Sequence, residues 1–180
     1  MLTIKIPDTE YYNEEISQFV SVKERTIDLE HSLVSLSKWE AKWCKPFLSK
    51  DQKTNEEVRD YIRCMIIDRN VPDNILYALS KQQEKQIVDY IDEKMTATTF
   101  SDISSASKSR EVITSEIIYY WMISLNIPFE CQKWHLNRLL TLIRVCSIKN
   151  APPKKMGRNS VLSRNAQINA ARKKQLNTRG

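Results

Sequence analysis

Apolar and polar residues alternate at the start of the chain. Leu2, Ile4 and Ile6 fall on one side of "LTIKI", the period-two signature of a half-buried strand. "DTEYYNEE" reads as a turn. "SQFVSV" and "TIDLEHSLVSL" read as two further strands, rich in Val, Ile, Thr and Phe. Residues 1–36 are therefore expected to form a small antiparallel β element. Two or three strands seldom hold together alone, so this one needs helices to pack on.

Beyond residue 36 the period lengthens. "SKWEAKWCKPF" predicts a short helix stopped near Pro46, where the ring and the missing amide end the ladder. Thr54 with Glu57 is a capping-box pattern ahead of "EEVRDYIRCMIIDRN", whose apolar stripe is Val58, Ile62, Met65 and Ile66. Pro72 opens a short helix through Leu79. Ser80 with Gln83 offers a second capping box, for a helix with the stripe Ile87, Tyr90 and Ile91. The Ser/Thr-rich run 96–109 predicts an exposed loop.

"REVITSEIIYYWMISLN" is apolar around much of its circumference, which predicts a central helix. Pro128 stands where the first residue of the next helix belongs. On that helix Glu130, Lys133, Asn137, Thr141 and Arg144 recur at three- and four-residue steps, a narrow solvent stripe that leaves the other sides buried. Residues 111–149 are thus expected as a helical hairpin. "NAPPKKMGRNS" reads as a linker, and 160–176 as a final helix with a thin apolar side, marginal unless it docks. The expected fold is mainly α (α+β). Residues 1–150 form one body, with 1–36 β and 37–150 helical, and 151–180 form a basic C-terminal linker and helix.

Composition removes several function classes. Only two glycines occur in 180 residues, Gly157 and Gly180, so the first 156 residues have no glycine-rich phosphate loop or dinucleotide fingerprint. The longest apolar region is interrupted by Glu116, Asn126 and Pro128, short of a membrane span, and the N-terminus lacks a secretory pattern. The four cysteines have no paired spacing, which favours free thiols in a cytoplasmic protein.

Charge divides the chain. Nine of the 28 basic residues lie from Lys149 onward and none of the 22 acidic residues does, so a slightly acidic body precedes a strongly basic segment. Lys154, Lys155, Arg158, Arg164, Arg172, Lys173, Lys174 and Arg179 are candidate partner-binding residues there. The segment has no aromatic residue, so base stacking is unsupported. Contact with an acidic protein, contact with nucleic acid through phosphates, and a solvated terminus stay open.

Two further groups carry candidate chemistry. Cys131 and His135 have the i, i+4 spacing of two metal ligands or of a nucleophile and base on one helical face. No second ligand pair and no orienting third group accompany them. The plainer reading is a packed cysteine and a helix-edge histidine, with no catalytic, metal or cofactor site and no enzyme class. Trp39 and Trp43, also i, i+4 and flanked by Lys38 and Lys42, are either a docking surface or a buried edge between sheet and helices.

A resemblance adds to this reading. "DLEHSLVSLSKWEAKWCKPFL", "DYIRCM", "MTATTFSD", "EIIYYWMISLNIPFECQKWHLNRLLTLIRVC" and "NAPPKKMGRNSVLSRNAQINAARKKQLNTRG" look like segments of the tail assembly chaperones of long-tailed phages of Gram-positive hosts. The resemblance covers nearly the whole chain. It implies a non-enzymatic, mainly helical, self-assembling protein that binds the tape-measure protein and keeps it soluble while tail tube forms. It further implies residence in the host cytoplasm during infection, absence from the mature virion, and a longer form made by frameshifting. It brings no catalytic, metal or cofactor residues. The competing expectation is a virion structural or head–tail connector protein whose basic segment touches DNA.

Overall fold

The structure, a computed structural model, describes residues 1–13, 17–100, 112–152 and 157–177. The chain divides into two compact units, 1–148 and 149–180. The fold is α+β, with helices predominating and small antiparallel strand pairs at the N-terminus.

β1 (Leu2–Ile6) pairs with β4 (Arg25–Leu29), Ile4 opposite Ile27 and Leu2 opposite Leu29. The predicted alternation holds: Ile4, Ile6, Ile27 and Leu29 are all buried. Each such side chain taken from water contributes about 1.5–3 kcal/mol before entropy is counted. The stretch expected as a turn is instead β2 (Thr9–Asn13), paired with β3 (Gln18–Val22). Aromatic pairing outweighs its polar composition. Tyr12 meets Phe19 edge-on at 5.2 Å on one face, and Tyr11 stacks on Tyr77 at 5.9 Å on the other.

"HSLVSL" is not a strand. α1 (Leu33–Trp43) starts there, because Ser32 caps the helix and Ser35 closes a capping box back onto the Ser32 amide. Leu33, Leu36 and Trp39 then fall on one buried side. α1 ends at Cys44, a left-handed cap with φ 51°. It packs against α2 (Asn55–Met65), α4 (Ser115–Ser124) and a 3-10 turn, Phe129–Lys133.

Both expected capping boxes form. Thr54 and Glu57 cap α2, and Ser80 and Gln83 cap α3 (Lys81–Asp92). On α2 the buried side is Glu57, Tyr61, Ile62 and Met65, whereas Val58 is exposed and Ile66 lies past the helix, bridged to Leu29. That bridge, with Glu30 N–H donating to Met65 O at 2.9 Å and Ile67 N–H to Asp28 O at 2.9 Å, covers the free edge of β4. Pro72 precedes a 3-10 turn, Asp73–Ala78, that buries Ile75 and Leu76. On α3, Ile87 and Tyr90 are buried as expected, and Gln83 Nε2 donates to Lys5 O at 2.8 Å, tying the helix to β1. Of the predicted loop 96–109, residues 96–100 are neither helix nor strand, and 101–109 lie outside the described residues.

The hairpin expected over 111–149 does not form as two continuous helices, and residue 111 lies outside the described residues. α4 begins at Ser115 and buries only Ser115, Ile118 and Met122. The helix expected from Pro128 is broken: the 3-10 turn ends at Trp134 with ψ 161°, His135 bridges to Ser32, and α5 (Leu136–Asn150) starts afresh. Tertiary pairing with the β4–α1 junction overrides the helical period there. The five polar residues therefore do not share one helix.

In the second unit, α6 (Arg158–Leu176) follows Gly157 and stops at Asn177, a left-handed cap with φ 51°. No helix among the described residues is long and apolar enough to cross a membrane.

Candidate functional site: an exposed apolar helix face

α4 turns apolar side chains outward on the body. Its N-terminus has no side-chain cap of its own. Instead buried Glu40, on α1, accepts from Ser115 N–H at 2.7 Å through one oxygen and from Phe47 N–H at 2.9 Å through the other. A carboxylate at a helix N-terminus satisfies an orphan amide and faces the positive end of the dipole. This fixes α4 with Ile118 and Met122 inward. Tyr120 and Ile123, one turn apart, are consequently outward and 66% and 60% exposed. Phe129, 53% exposed, lies with its ring 6.5 Å from that of Tyr119. Tyr119 is half-buried and held by its hydroxyl, which donates to Gln132 Oε1 at 2.9 Å. Isolated exposed apolar residues are ordinary, but an aromatic–aliphatic row along one helix face marks a place for another helix.

Trp39 does not belong to a docking surface. It is 1% exposed, its indole N–H donates to Glu57 O at 2.8 Å, and Phe47 packs edge-on at 5.0 Å. Trp43 stacks on it at 6.1 Å, half-buried, with its N–H donating to Asp60 Oδ2 at 2.8 Å. Lys42 pairs with the same Asp60. Glu57, below the pair, has its carboxyl held under the usual range, first by the hydrogen bond from Lys45 at 2.6 Å and then by the Thr54 amide. The i, i+4 tryptophans are thus the seam between α1 and α2.

Cys131 and His135 are not two ligands on one helical face, because the helix is interrupted between them. Cys131 is buried in the 3-10 turn, and burial pushes its thiol up, the opposite of an activated nucleophile. His135 is buried rather than at a helix edge. Its neighbour is His31, the other histidine of the chain, with ring centroids 5.1 Å apart. His31 Nδ1 meets the Tyr61 hydroxyl at 2.5 Å, and burial pushes the Tyr61 phenol up, so it stays protonated and donates. His135 Nε2 lies 2.9 Å from Tyr90 O. A carbonyl only accepts, so Nε2 carries the proton, and His135 Nδ1 is left buried without a partner among the described residues. Burial first, and His135 second, lower His31 to about 3. The arrangement is an imidazole clamp between the β4–α1 junction and α5, completed by Leu136 N–H donating to His31 O at 2.7 Å. Nothing in the spacing of His31 and His135 along the chain signals it. Among the described residues no group of three or more His, Cys, Asp or Glu could hold a metal.

Of the basic candidates, Arg164, Arg172, Lys173 and Lys174 stand exposed on α6. Arg158 is described only in its backbone, and Lys154, Lys155 and Arg179 lie outside the described residues.

The α4 face was missed because an apolar circumference has two explanations, full burial or an outward binding face, and periodicity does not separate them. No family model, no curated protein and no solved structure matches this chain.

Proposed function

We propose that this protein is a tail assembly chaperone of a long-tailed phage, binding the tape-measure protein and keeping it soluble during tail morphogenesis. The observation that carries the reading is the outward pair Tyr120 and Ile123 on α4, with exposed Phe129 against neighbouring Tyr119. A tape-measure protein is a long, partly apolar helical rod. Tyr120 and Ile123, at i and i+3 on α4, offer two outward apolar contacts to such a rod. Burying those side chains contributes about 1.5–3 kcal/mol each, enough for a reversible grip that assembling tube subunits displace. The sequence resemblance supports the same reading, and the reading needs no enzyme activity, cofactor or metal. In it, copies of the chain self-associate on long clients, a longer frameshifted form accompanies them, and the protein works in the host cytoplasm.

A virion structural or head–tail connector role is the second reading, favoured by the acid-free basic helix α6. Mass spectrometry of purified particles separates the two. The chaperone reading expects the chain to be absent from mature virions and recovered with the tape-measure protein from infected cells. Stoichiometric presence in virions overturns it.

A further inference from the structure

α6 differs in kind from the helices of the body. Every side chain described on it is exposed, and nothing along it forms an unbroken apolar stripe. The row Val161, Asn165, Ile168, Arg172 is interrupted twice. The neighbouring row from Leu162 to Leu176 passes through Ala166, Asn169 and Lys173. A helix that fits an apolar protein groove needs anchors at i, i+3 or i+4, and i+7. α6 does not have them.

What it has is positive charge on all sides. At 100° per residue, Arg164, Arg172, Lys173 and Lys174 are spread around the axis at intervals of about 80–100°. A flat acidic protein face meets one side of a helix and leaves such a distribution half unused. A groove with a phosphate rail on either side uses it. One side of the helix suits the floor of a groove: Asn165 and Asn169, about 40° apart, carry paired donors and acceptors of the kind that read base edges, with Arg164 and Lys173 on its two flanks. The segment has no carboxylate to repel phosphate and no aromatic residue to stack on unpaired bases, which favours a duplex over a single strand. The dimensions agree. Nineteen residues span about 28 Å, roughly eight base pairs, and a helix of this girth enters the B-form major groove but not the narrow one of A-form RNA.

We propose that α6 is a duplex-DNA-binding helix that lies in the major groove, held by phosphate contacts from both flanks. The proposal stands apart from the tape-measure reading, since it concerns a different unit of the chain and a different partner.

The test uses the full-length protein and a fluorescein-labelled B-form duplex of about 20 base pairs, followed by anisotropy at about 50 and 200 mM salt. The four basic side chains described along α6 predict a log–log salt slope of about −3.6, so affinity falls on the order of 10²-fold between those conditions. Replacing Arg172, Lys173 and Lys174 together by Ala, the best helix former, is expected to make the slope shallower by about 2.7 with helix content unchanged by circular dichroism. Polyglutamate of equal charge and an A-form RNA duplex are expected to displace the DNA poorly. Absence of binding at low salt, unchanged binding by the triple variant, or equal displacement by polyglutamate or RNA duplex would each overturn the proposal.

Discussion

His31 and His135, the only histidines in the chain, face each other in the core with ring centroids 5.1 Å apart and exposures of 3% and 5%. They join the end of the β element to the start of α5. His31 keeps its place only while neutral, since a proton there would bury a charge between the Tyr61 hydroxyl and the His135 ring.

That relationship gives the protein a signed pH dependence. The His31 pKa is lowered from 6.5 to about 3 by burial and by His135. The unfolded chain therefore binds a proton at His31 that the folded chain refuses, and stability is lost as pH falls through 6.5 toward 3. Between pH 7 and pH 5 this group removes about 2 kcal/mol. Urea titrations at the two pH values measure it, and His31→Gln is expected to flatten that part of the slope whatever its own stability.

Trp39→Ala is expected to cost about 3–5 kcal/mol, because it opens a cavity between α1 and α2 and removes the indole N–H that donates to Glu57 O. Trp43→Ala, at a half-buried site, is expected to cost less. Equal, near-zero costs in urea unfolding would return both residues to the surface role that the lysine-flanked sequence suggested.

Glu40→Ala leaves the buried amide of Ser115 and the half-buried amide of Phe47 unpaired, an expected loss of about 2–3 kcal/mol. Hydrogen exchange should show the loss first in α4, whose N-terminus has no cap of its own. Uniform loss across the body would mean that Glu40 is not the clamp on that helix.

These residues also show what sequence can and cannot carry. The capping boxes at Thr54 and Ser80 were legible because the two partners lie three residues apart in one local motif. The box at Ser32 was not, because Ser35 replaces the usual Glu or Gln and the β-like run "TIDLEHSLVSL" hides it. β2 was hidden by polar composition, since what stabilises it is aromatic pairing with Phe19 across the hairpin and with Tyr77, 66 residues on from Tyr11. The break at Trp134 and His135 is likewise decided by a bridge to Ser32, a hundred residues upstream. Cys131 and His135 therefore looked like a helical pair only in the sequence. The α4 face lay in view as excess apolar circumference, but its outward direction depends on Glu40.

Thiol chemistry gives an independent check on that broken helix. Cys44, exposed at the end of α1, is expected to react first with iodoacetamide. Half-buried Cys64 and buried Cys131, whose thiols burial pushes up, are expected to react later, Cys131 only as the fold opens. Peptide mass mapping over time gives the order, and early labelling of Cys131 would revive it as a reactive thiol.

The α4 face bears most directly on function. Tyr120→Lys with Ile123→Lys changes two exposed side chains, so stability is expected to move by no more than about 0.5 kcal/mol for each. The decisive measurement is the soluble fraction of the tape-measure protein when it is co-expressed with the wild-type chain, with this double variant, or alone. The account predicts a soluble complex with the wild type and loss of both complex and solubility with the variant. A tape-measure protein equally soluble alone, or held equally well by the variant, would contradict it.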